Sequence, residues 1–302
     1  MKKRTCMILA TAIFLIALSG CGGNGSAPDY LRLDGATANI PLAIGFYREY
    51  YGLSQEEAEE LAQFSKSSQS YLNLLEGEAD LLLVSRADLG TQEAIDKSGI
   101  ELEYIPLRRD ALCFIVPEEN PIESLTDAQI KDIYQGKITR WGELGWVIEV
   151  DPQDYVYFVE TIYSHFISPY QRNEDSGSQA MMRRLVMDGL EMMAPIYEVD
   201  GMYELVGQIA EFNEGNPGAI GYTTFYFAGE MFQQPGVKFL KVEGIAPTVE
   251  TIGDGSYPYL NENHIVLRAG AAQDGEVRKA VAWLLSDEGK ALMESLNYIP
   301  VA

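Results

Sequence analysis

The chain is poor in the residues that build metal centres and disulfide frameworks. Its 302 residues include only three cysteines and two histidines. Cys6 and Cys21 lie in or next to an apolar N-terminal run, so Cys113 is the one cysteine left for the fold, and a single thiol cannot form an internal disulfide. No metal-ligand spacing surrounds Cys113, His165 or His264. We therefore expect no metal, no cofactor, a buried structural Cys113 and two structural histidines.

Positive charge is also scarce. The chain has 22 Lys and Arg against 45 Asp and Glu, a net charge of −23 at pH 7, and removing the cations Lys2, Lys3 and Arg4 takes it to −26. So acidic a surface argues against nucleic acid as a partner. It does not exclude a small anion, because exposed charges are screened beyond a Debye length of about 10 Å. A local group of N–H donors can still bind one.

The apolar run near the N-terminus, from Met7 to Leu18, is too short to span a bilayer. It follows three cations and ends in Leu18-Ser19-Gly20-Cys21, which resembles the lipobox of bacterial lipoproteins. The resemblance implies a signal peptide over 1–20, lipidation of Cys21, and an extracytoplasmic protein anchored in the cell membrane by that lipid. Residues 21–28 are rich in Gly and small polar residues, which predicts a flexible tether. The alternative is an ordinary signal peptide followed by an incidental cysteine.

The rest of the chain alternates between buried strands, small polar turns and helices, which predicts an α/β fold. Ala79 to Val84 is a continuous apolar run, typical of a parallel strand covered on both faces. Ser54 and Glu57 have the spacing of a capping box at the start of a helix. Gly275 to Leu296 has the periodicity of one amphipathic helix.

Hydroxyl-bearing residues stand at the start of three predicted helices. The third start follows a strand end that carries Arg172, whose planar set of donors fits a tetrahedral oxyanion. Unpaired N–H groups at a helix start favour negative charge, and such turns meet at the strand ends of open α/β sheets. The sequence therefore predicts an oxyanion site; the alternative is a set of ordinary Ser and Thr caps, with Arg172 in solvent. The residues of the predicted site are Thr37, Ser67, Ser68, Arg172, Ser176, Gly177 and Ser178.

Segments spread over nearly all of the mature chain resemble, in the same order, the phosphate-binding proteins of bacterial ABC importers. They are 35–37, 67–68, 125–141, 172–178, 217–222 and 285–290, of which Gly136-Lys137-Ile138-Thr139-Arg140-Trp141 and the Arg172 to Ser178 turn are the most specific. The resemblance implies an α/β, two-lobed periplasmic-binding-protein-like fold (type II) with two crossing strands, near 110–117 and 257–267, and a central cleft. It places lobe 1 at 29–112 plus 260–302, and lobe 2 at 113–259.

The same resemblance implies a function. The protein would capture inorganic phosphate, or a similar tetrahedral oxyanion, outside the cytoplasm and pass it to the permease subunits of an ABC transporter. It would act as a monomer and perform no covalent step. The residues of the predicted site match anion-contacting positions of the family, and Glu174 matches an acidic position that orients the arginine.

One departure from the family concerns the discrimination between oxyanions. Where some relatives place an Asp that accepts the proton of phosphate, this chain has Arg86. An arginine there would either strengthen anion binding or point outward in an ion pair. Asp88 or Glu174 would then replace the acceptor.

Two other functions stay open. One is a phosphate-sensing or adhesive surface lipoprotein without a role in transport. The other is an extracytoplasmic hydrolase, which would need a histidine base beside Ser176. Neither His165 nor His264 lies in a recognisable catalytic motif. We therefore expect a binding protein rather than an enzyme.

Overall fold

The computed structural model describes residues 30–146, 166–211 and 218–301. The chain divides into two units, Met1–Tyr30 and Leu31–Ala302, and every element below belongs to the second. The predicted signal peptide, the tether with Cys21, and His165 lie outside the described residues. Within the described part of the chain, no helix has both the length and the apolar character needed to cross a membrane.

Strands and helices alternate along this second unit, as predicted. The strands are β1 (Leu33–Gly35), β2 (Leu81–Ser85), β3 (Leu102–Pro117), β4 (Ser124–Leu125), β5 (Ser168–Arg172), β6 (Tyr197–Val199), β7 (Ala219–Thr224), β8 (Val237–Phe239), β9 (Lys241–Val242), β10 (Leu260–Arg268) and β11 (Ile299–Pro300). The α-helices are α1 (Ile40–Tyr51), α2 (Gln55–Leu61), α3 (Ser67–Glu76), α4 (Leu89–Ser98), α5 (Asp127–Tyr134), α6 (Gly177–Met181), α7 (Met202–Glu211), α8 (Val249–Gly253), α9 (Glu276–Leu284) and α10 (Asp287–Ser295). Short 3₁₀ turns span Thr37–Asn39 and Trp141–Leu144, and π-helical turns span Met182–Met187 and Phe227–Met231.

Nine of the described strands form a mixed sheet in the order β1-β2-β10-β3-β7-β5-β6, with β8 and β11 also paired to β3. The other two, β4 and β9, form a separate parallel pair. β1 and β2 are parallel, β10 is antiparallel to both β2 and β3, and β5 is parallel to both β6 and β7. The long strand β3 lies in the middle of this order and joins the two halves of the sheet. Its pairing with β10 ends at Ala111, and its pairing with β7 begins at the next residue, Leu112. The lobes at 29–112 plus 260–302 and at 113–259 stay a prediction.

Local signals account for several of the boundaries. Ser54 and Glu57 form the predicted capping box of α2, and all five residues of β2 are buried. The prediction of one helix from Gly275 to Leu296 is wrong. The chain forms α9 and α10 instead, because Ser286 caps the second helix by accepting a hydrogen bond from the Gly289 N–H. An N-cap residue has non-helical backbone angles, so it ends the preceding helix.

Cys113 lies in the largest apolar cluster of the described residues, as predicted, and its side chain is completely buried. Burial raises the pKa of this thiol well above its usual value, because the thiolate would be desolvated. Trp141 lies in the same cluster, and its Nε1 donates to the carbonyl oxygen of Gly218 at 3.0 Å. Both residues therefore have structural roles.

Candidate functional site

A cavity of about 140 Å³ gathers most of the predicted site residues. Its lining includes Thr37, Ser67, Arg172, Ser176, Gly177 and Ser178. These residues come from the turn after β1, the start of α3, the end of β5 and the start of α6. The sheet and its crossover helices thus bring together three helix starts that are distant in the sequence. Ser68, Arg86, Asp88 and Glu174 do not belong to this lining.

Arg172 is the last residue of β5 and is only 4% exposed. Its Nε donates to the Val199 carbonyl at 3.0 Å and its Nη2 to the Asp200 carbonyl at 2.7 Å. Its Nη1 lies 3.2 Å from Ser178 Oγ. None of these partner groups in the described part of the chain carries a charge. Burial lowers the pKa of Arg172, although a guanidinium stays protonated at neutral pH. The cavity therefore contains a cation that no carboxylate of the described residues contacts.

Ser176 caps α6, since its Oγ accepts a hydrogen bond from the Gln179 N–H at 3.1 Å. α6 continues directly into the π-helical turn Met182–Met187, so the helical run is longer than α6 alone. The first N–H groups of such a run have no partner within the helix. Together with the hydroxyls of Ser176 and Ser178, they supply the cavity with donors beside Arg172.

Gly177 allows the start of α6 to approach the start of α3. A Cβ built on Gly177 would lie 2.4 Å from Ser67 Oγ and 3.3 Å from Ser67 Cβ. Any larger residue at this position would therefore require the Ser67 side chain to shift or the two turns to move apart. The approach also brings the Ser68 hydroxyl to 3.3 Å from the carbonyl oxygen of Asp175.

The turn before α3 is held in a strained conformation. Lys66 has φ 75° and ψ 167°, a region that residues with a side chain rarely adopt. The buried carboxylate of Asp34 fixes this turn by accepting from the N–H and hydroxyl of Ser65, at 2.7 and 2.6 Å, and from Asn73 Nδ2 at 2.8 Å. Strained backbone is commonest at functional sites, where the surrounding contacts enforce it. The strain supports a binding role for the start of α3.

Ser68 and Asp88 bind each other rather than the cavity. The Ser68 hydroxyl donates to Asp88 Oδ2 at 2.8 Å, and Asp88 also caps α4 by accepting from the N–H and hydroxyl of Thr91. Burial by itself would raise the pKa of Asp88, but these hydrogen bonds outweigh it and lower the pKa. Asp88 is thus an ionised carboxylate whose neighbours already occupy both of its oxygens.

The prediction that Glu174 orients Arg172 is wrong as a direct contact. Glu174 instead forms an ion pair with both Nε and Nη2 of Arg183. Arg183 lies on the helical run that follows Glu174, and this run brings its side chain back to the carboxylate. The link to Arg172 is indirect: Gln179 Nε2 donates to Glu174 at 3.2 Å, the Tyr222 hydroxyl donates to Gln179 Oε1, and that hydroxyl accepts from the Arg172 N–H. Glu174 therefore contacts the backbone of Arg172 only through two side chains.

Arg86 points away from the cavity. Its side chain is exposed, and its guanidinium lies over the ring of Tyr104, 4.6 Å from the centroid. Of the two expectations for this residue, the outward orientation fits, with an aromatic ring as the partner in place of an acid. A cation over an aromatic face at an exposed site contributes about 0.5–1 kcal/mol.

Two buried charged residues of the lining were not predicted from the sequence. Arg108 and Asp110 on β3 both line the cavity and are each only 1% exposed. Arg108 Nη1 donates to Asp110 Oδ2 at 3.2 Å. The signal was present, since these charges interrupt an otherwise apolar strand, and buried charges are rare unless they are paired or functional.

The sequence matches the PBP superfamily domain over residues 22–288. It is 23% identical to the phosphate-binding protein PstS of Bacillus subtilis, in an alignment that covers 99% of this chain and 95% of the relative. It is 22% identical to the phosphate-binding protein PstS of Staphylococcus saprophyticus, over 91% of this chain and 83% of the relative.

Solved structures of phosphate-binding proteins share the fold of this chain. A Clostridium perfringens protein, described as a phosphate ABC transporter substrate-binding protein and solved with bound phosphate, superposes with a TM-score of 0.66 at 24% identity, covering 90% of this chain and 99% of that one. An ABC-type phosphate transport receptor from Vibrio cholerae gives a TM-score of 0.64 at 20% identity, covering 89% and 99%. The predicted α/β fold of type II periplasmic-binding-protein-like structures is confirmed.

Proposed function

The chain belongs to the PBP superfamily, and from that premise we propose that it captures inorganic phosphate, or a closely similar tetrahedral oxyanion, for an ABC importer. The anion would occupy the cavity beside Arg172 and the starts of α3 and α6. Binding alone is required, so the chain needs no catalytic group.

One observation carries this proposal: the buried guanidinium of Arg172 has only uncharged partners among the described residues. Burying an unpaired charge is costly, and a structure that retains one usually supplies a counter-charge from a ligand. The donors around Arg172 are hydroxyls and helix-start N–H groups, which suit an oxyanion rather than a metal or an apolar ligand.

The strength of such a site is sufficient for solute capture. A hydrogen bond to a charged group contributes roughly 1.5–3 kcal/mol. Six to eight of them, less the costs of desolvation and immobilisation, reach about −8 kcal/mol, which corresponds to a micromolar dissociation constant. The names of the relatives support phosphate as the ligand, since the Bacillus and Staphylococcus proteins are called phosphate-binding proteins.

The cellular setting is part of the same proposal. Cys21 would carry the lipid that anchors the protein outside the cell membrane, and the permease subunits of an ABC transporter would receive the anion. The Vibrio relative is described as a phosphate transport receptor, which supports this setting. A sensing or adhesive lipoprotein would share the anion site but would not support uptake.

A hydrolase is disfavoured by the surroundings of His264. This residue is 3% exposed, packs edge-on against Tyr104, and does not belong to the cavity lining. Burial, followed by the neighbouring charge of Arg86, lowers the pKa of its imidazole. The relatives' names also describe binding proteins.

The test is calorimetric titration of the purified protein with inorganic phosphate. We expect Arg172→Ala to abolish measurable binding, a loss of more than about 1,000-fold, because several charge-assisted hydrogen bonds disappear together. The matched control is Arg278→Ala, which removes an arginine that pairs with Glu103 and lies outside the cavity lining. Unchanged affinity in Arg172→Ala, with the fold intact by circular dichroism, would remove Arg172 from the site.

A further inference from the structure

The cavity is lined by side chains of two kinds. Around Arg172 the lining carries the hydroxyls of Ser176 and Ser178, whereas another part of it consists of side chains that have no hydrogen-bond donor. The lining residues of this second kind, here called the apolar wall, are Ala36, Ala38, Met181, Met202 and Phe227. A bare oxyanion presents oxygen on every side, and an oxygen that faces such a wall loses its water without gaining a donor. The apolar wall therefore does not suit a ligand that is polar all round.

Part of the apolar wall follows directly on the partners of Arg172. The guanidinium donates to the carbonyl groups of Val199 and Asp200, at 3.0 and 2.7 Å, and the chain then continues into Gly201 and Met202, which both line the cavity. Val199 ends β6 and Met202 begins α7, so a short turn joins them. An anion bound to Arg172 would thus lie close to the Met202 side chain.

The packing behind the apolar wall holds its side chains in place. Met202 and Phe227 both pack in one apolar cluster, together with Leu205 and Ile209 of α7. Phe227 is almost completely buried, and Met202 Sδ accepts a hydrogen bond from Thr223 Oγ1 at 3.8 Å. The contacts on their far sides keep both side chains in the wall, so the wall is a fixed part of the site.

The size of the cavity limits what the apolar wall can contact. The cavity has a volume of about 140 Å³, close to that of an engineered apolar cavity of about 150 Å³ that binds benzene. Benzene has six atoms other than hydrogen, and phosphate has five. The cavity therefore has room for a phosphoryl group with a small alkyl substituent, but not for a large organic group.

We propose that the site accepts small alkylphosphonates as well as phosphate, with the phosphonate oxygens bound to Arg172 and the helix starts, and the alkyl group against Met202 and Phe227. The inference rests on the proposed function, because it uses the same cavity and the same anion-binding groups. In methylphosphonate a methyl group takes the place of one oxygen of phosphate, so the ligand keeps the tetrahedral shape, the size and a negative charge. The methyl group requires no donor, and the apolar wall offers none.

The experiment compares inorganic phosphate with methylphosphonate on the purified wild-type protein by calorimetry. We expect methylphosphonate to bind within about threefold of phosphate, or more tightly, because burial of the methyl group compensates for the oxygen that it replaces. A site whose donors surround the anion would instead bind methylphosphonate at least about tenfold more weakly than phosphate, since the donors to the replaced oxygen would be left unpaired.

Met202→Gln then tests the apolar wall itself. Glutamine has about the length of methionine, but its amide can donate to an oxygen of phosphate and not to a methyl group. We expect the ratio of phosphate affinity to methylphosphonate affinity to rise at least about tenfold.

The matched control is Met231→Gln. Met231 is a partly buried methionine that packs against the same apolar cluster as Met202 but lies outside the cavity lining. This variant should leave the ratio of the two affinities unchanged. Thermal unfolding of each variant confirms that it folds.

Two outcomes would overturn the inference while the proposed function stands. If wild-type protein binds methylphosphonate more than about threefold more weakly than phosphate, the apolar wall does no more than exclude water. If a folded Met202→Gln variant keeps the wild-type ratio, the alkyl group does not contact this wall. If neither anion binds, the proposed function fails as well. The wild-type comparison decides the question even if a variant does not fold.

Discussion

The surroundings of the two buried arginines of the cavity differ in what compensates the charge. Arg172 is held by backbone carbonyls and one hydroxyl, all uncharged. Arg108 is held by the carboxylate of Asp110, the amide of Asn39 and the face of Tyr298. Removing water from a buried cation costs several kcal/mol, and a hydrogen-bonded carboxylate repays part of that cost. The charge of Arg108 therefore has a partner within the protein, whereas no carboxylate of the described residues contacts the charge of Arg172.

This difference bears on how the cavity would attract an anion. Under the proposed function, the Arg172 guanidinium would attract any oxyanion of suitable size, because a guanidinium binds oxyanions without regard to their protonation. The pair of Arg108 and Asp110 carries no net charge, so it would add little to that attraction.

The largest effect that would test this comparison is on stability in the absence of ligand. Asp110→Ala leaves Arg108 buried without its carboxylate, and we expect the free energy of unfolding to fall by about 3–5 kcal/mol. Arg172→Met should change it by only about 1 kcal/mol, because the lost hydrogen bonds are offset by the removal of an unpaired buried cation. Urea denaturation of both variants measures the two changes. Equal losses in the two variants would contradict the difference between the arginines.

A smaller effect concerns the approach of the two helix starts on the Arg172 side. Gly177→Ala would place a Cβ 2.4 Å from Ser67 Oγ. We expect phosphate affinity to fall about tenfold, or about 1.4 kcal/mol, because either the Ser67 hydroxyl must leave its position or the two turns must separate. Calorimetry measures the change.

The control for this variant is Gly142→Ala, at a glycine where an added Cβ meets no atom within 4 Å. It should leave the phosphate affinity unaltered. A Gly177→Ala protein with full affinity would mean that Ser67 moves aside without cost, and that the contact between the turns contributes nothing to binding.

The smallest expected effect concerns the strained turn before α3. Lys66→Gly places at φ 75°, ψ 167° the one residue type that adopts this region easily. We expect the free energy of unfolding to rise by about 1 kcal/mol, which is the strain released less the greater chain entropy of glycine. Lys66→Ala is the matched control, because it shortens the side chain but keeps the Cβ. If both variants change stability equally, backbone strain is not the cause.

The part of the site that could be predicted from the sequence is the part that is local in the chain. The capping residue Ser176 and the arginine Arg172 stand at fixed spacing on one turn, so their proximity follows from local geometry. Glu174 shows the limit of this reasoning. Two arginines, Arg172 and Arg183, lie close to Glu174 in the sequence. The helical run places Arg183 against its carboxylate, and the spacing in the sequence alone does not show which of the two it would contact.

The contacts of Arg108 in the cavity wall could not be predicted, because its partners are distant from it in the sequence. Arg108 binds Asn39 and stacks on Tyr298, which reach it only when β3, the 3₁₀ turn before α1 and the C-terminal segment come together. The sequence shows only that charged residues, among them Arg108 and Asp110, interrupt an apolar strand. The break between α9 and α10 was missed for a different reason: the apolar periodicity continues through Ser286, and only the cap reveals the end of a helix.

The exchange of partners along β3 has a mechanical consequence. The strand leaves β10 after Ala111 and joins β7 at Leu112, so Asp110 stands next to the one peptide that both halves of the sheet share along this strand. The buried carboxylate of Asp110 also accepts from the N–H groups of Ala111 and of Tyr226, which follows β7. Its side chain therefore ties β3 to the segment after β7 at the place where the strand changes partners, so that replacing Asp110 would loosen the middle of the sheet as well as the cavity.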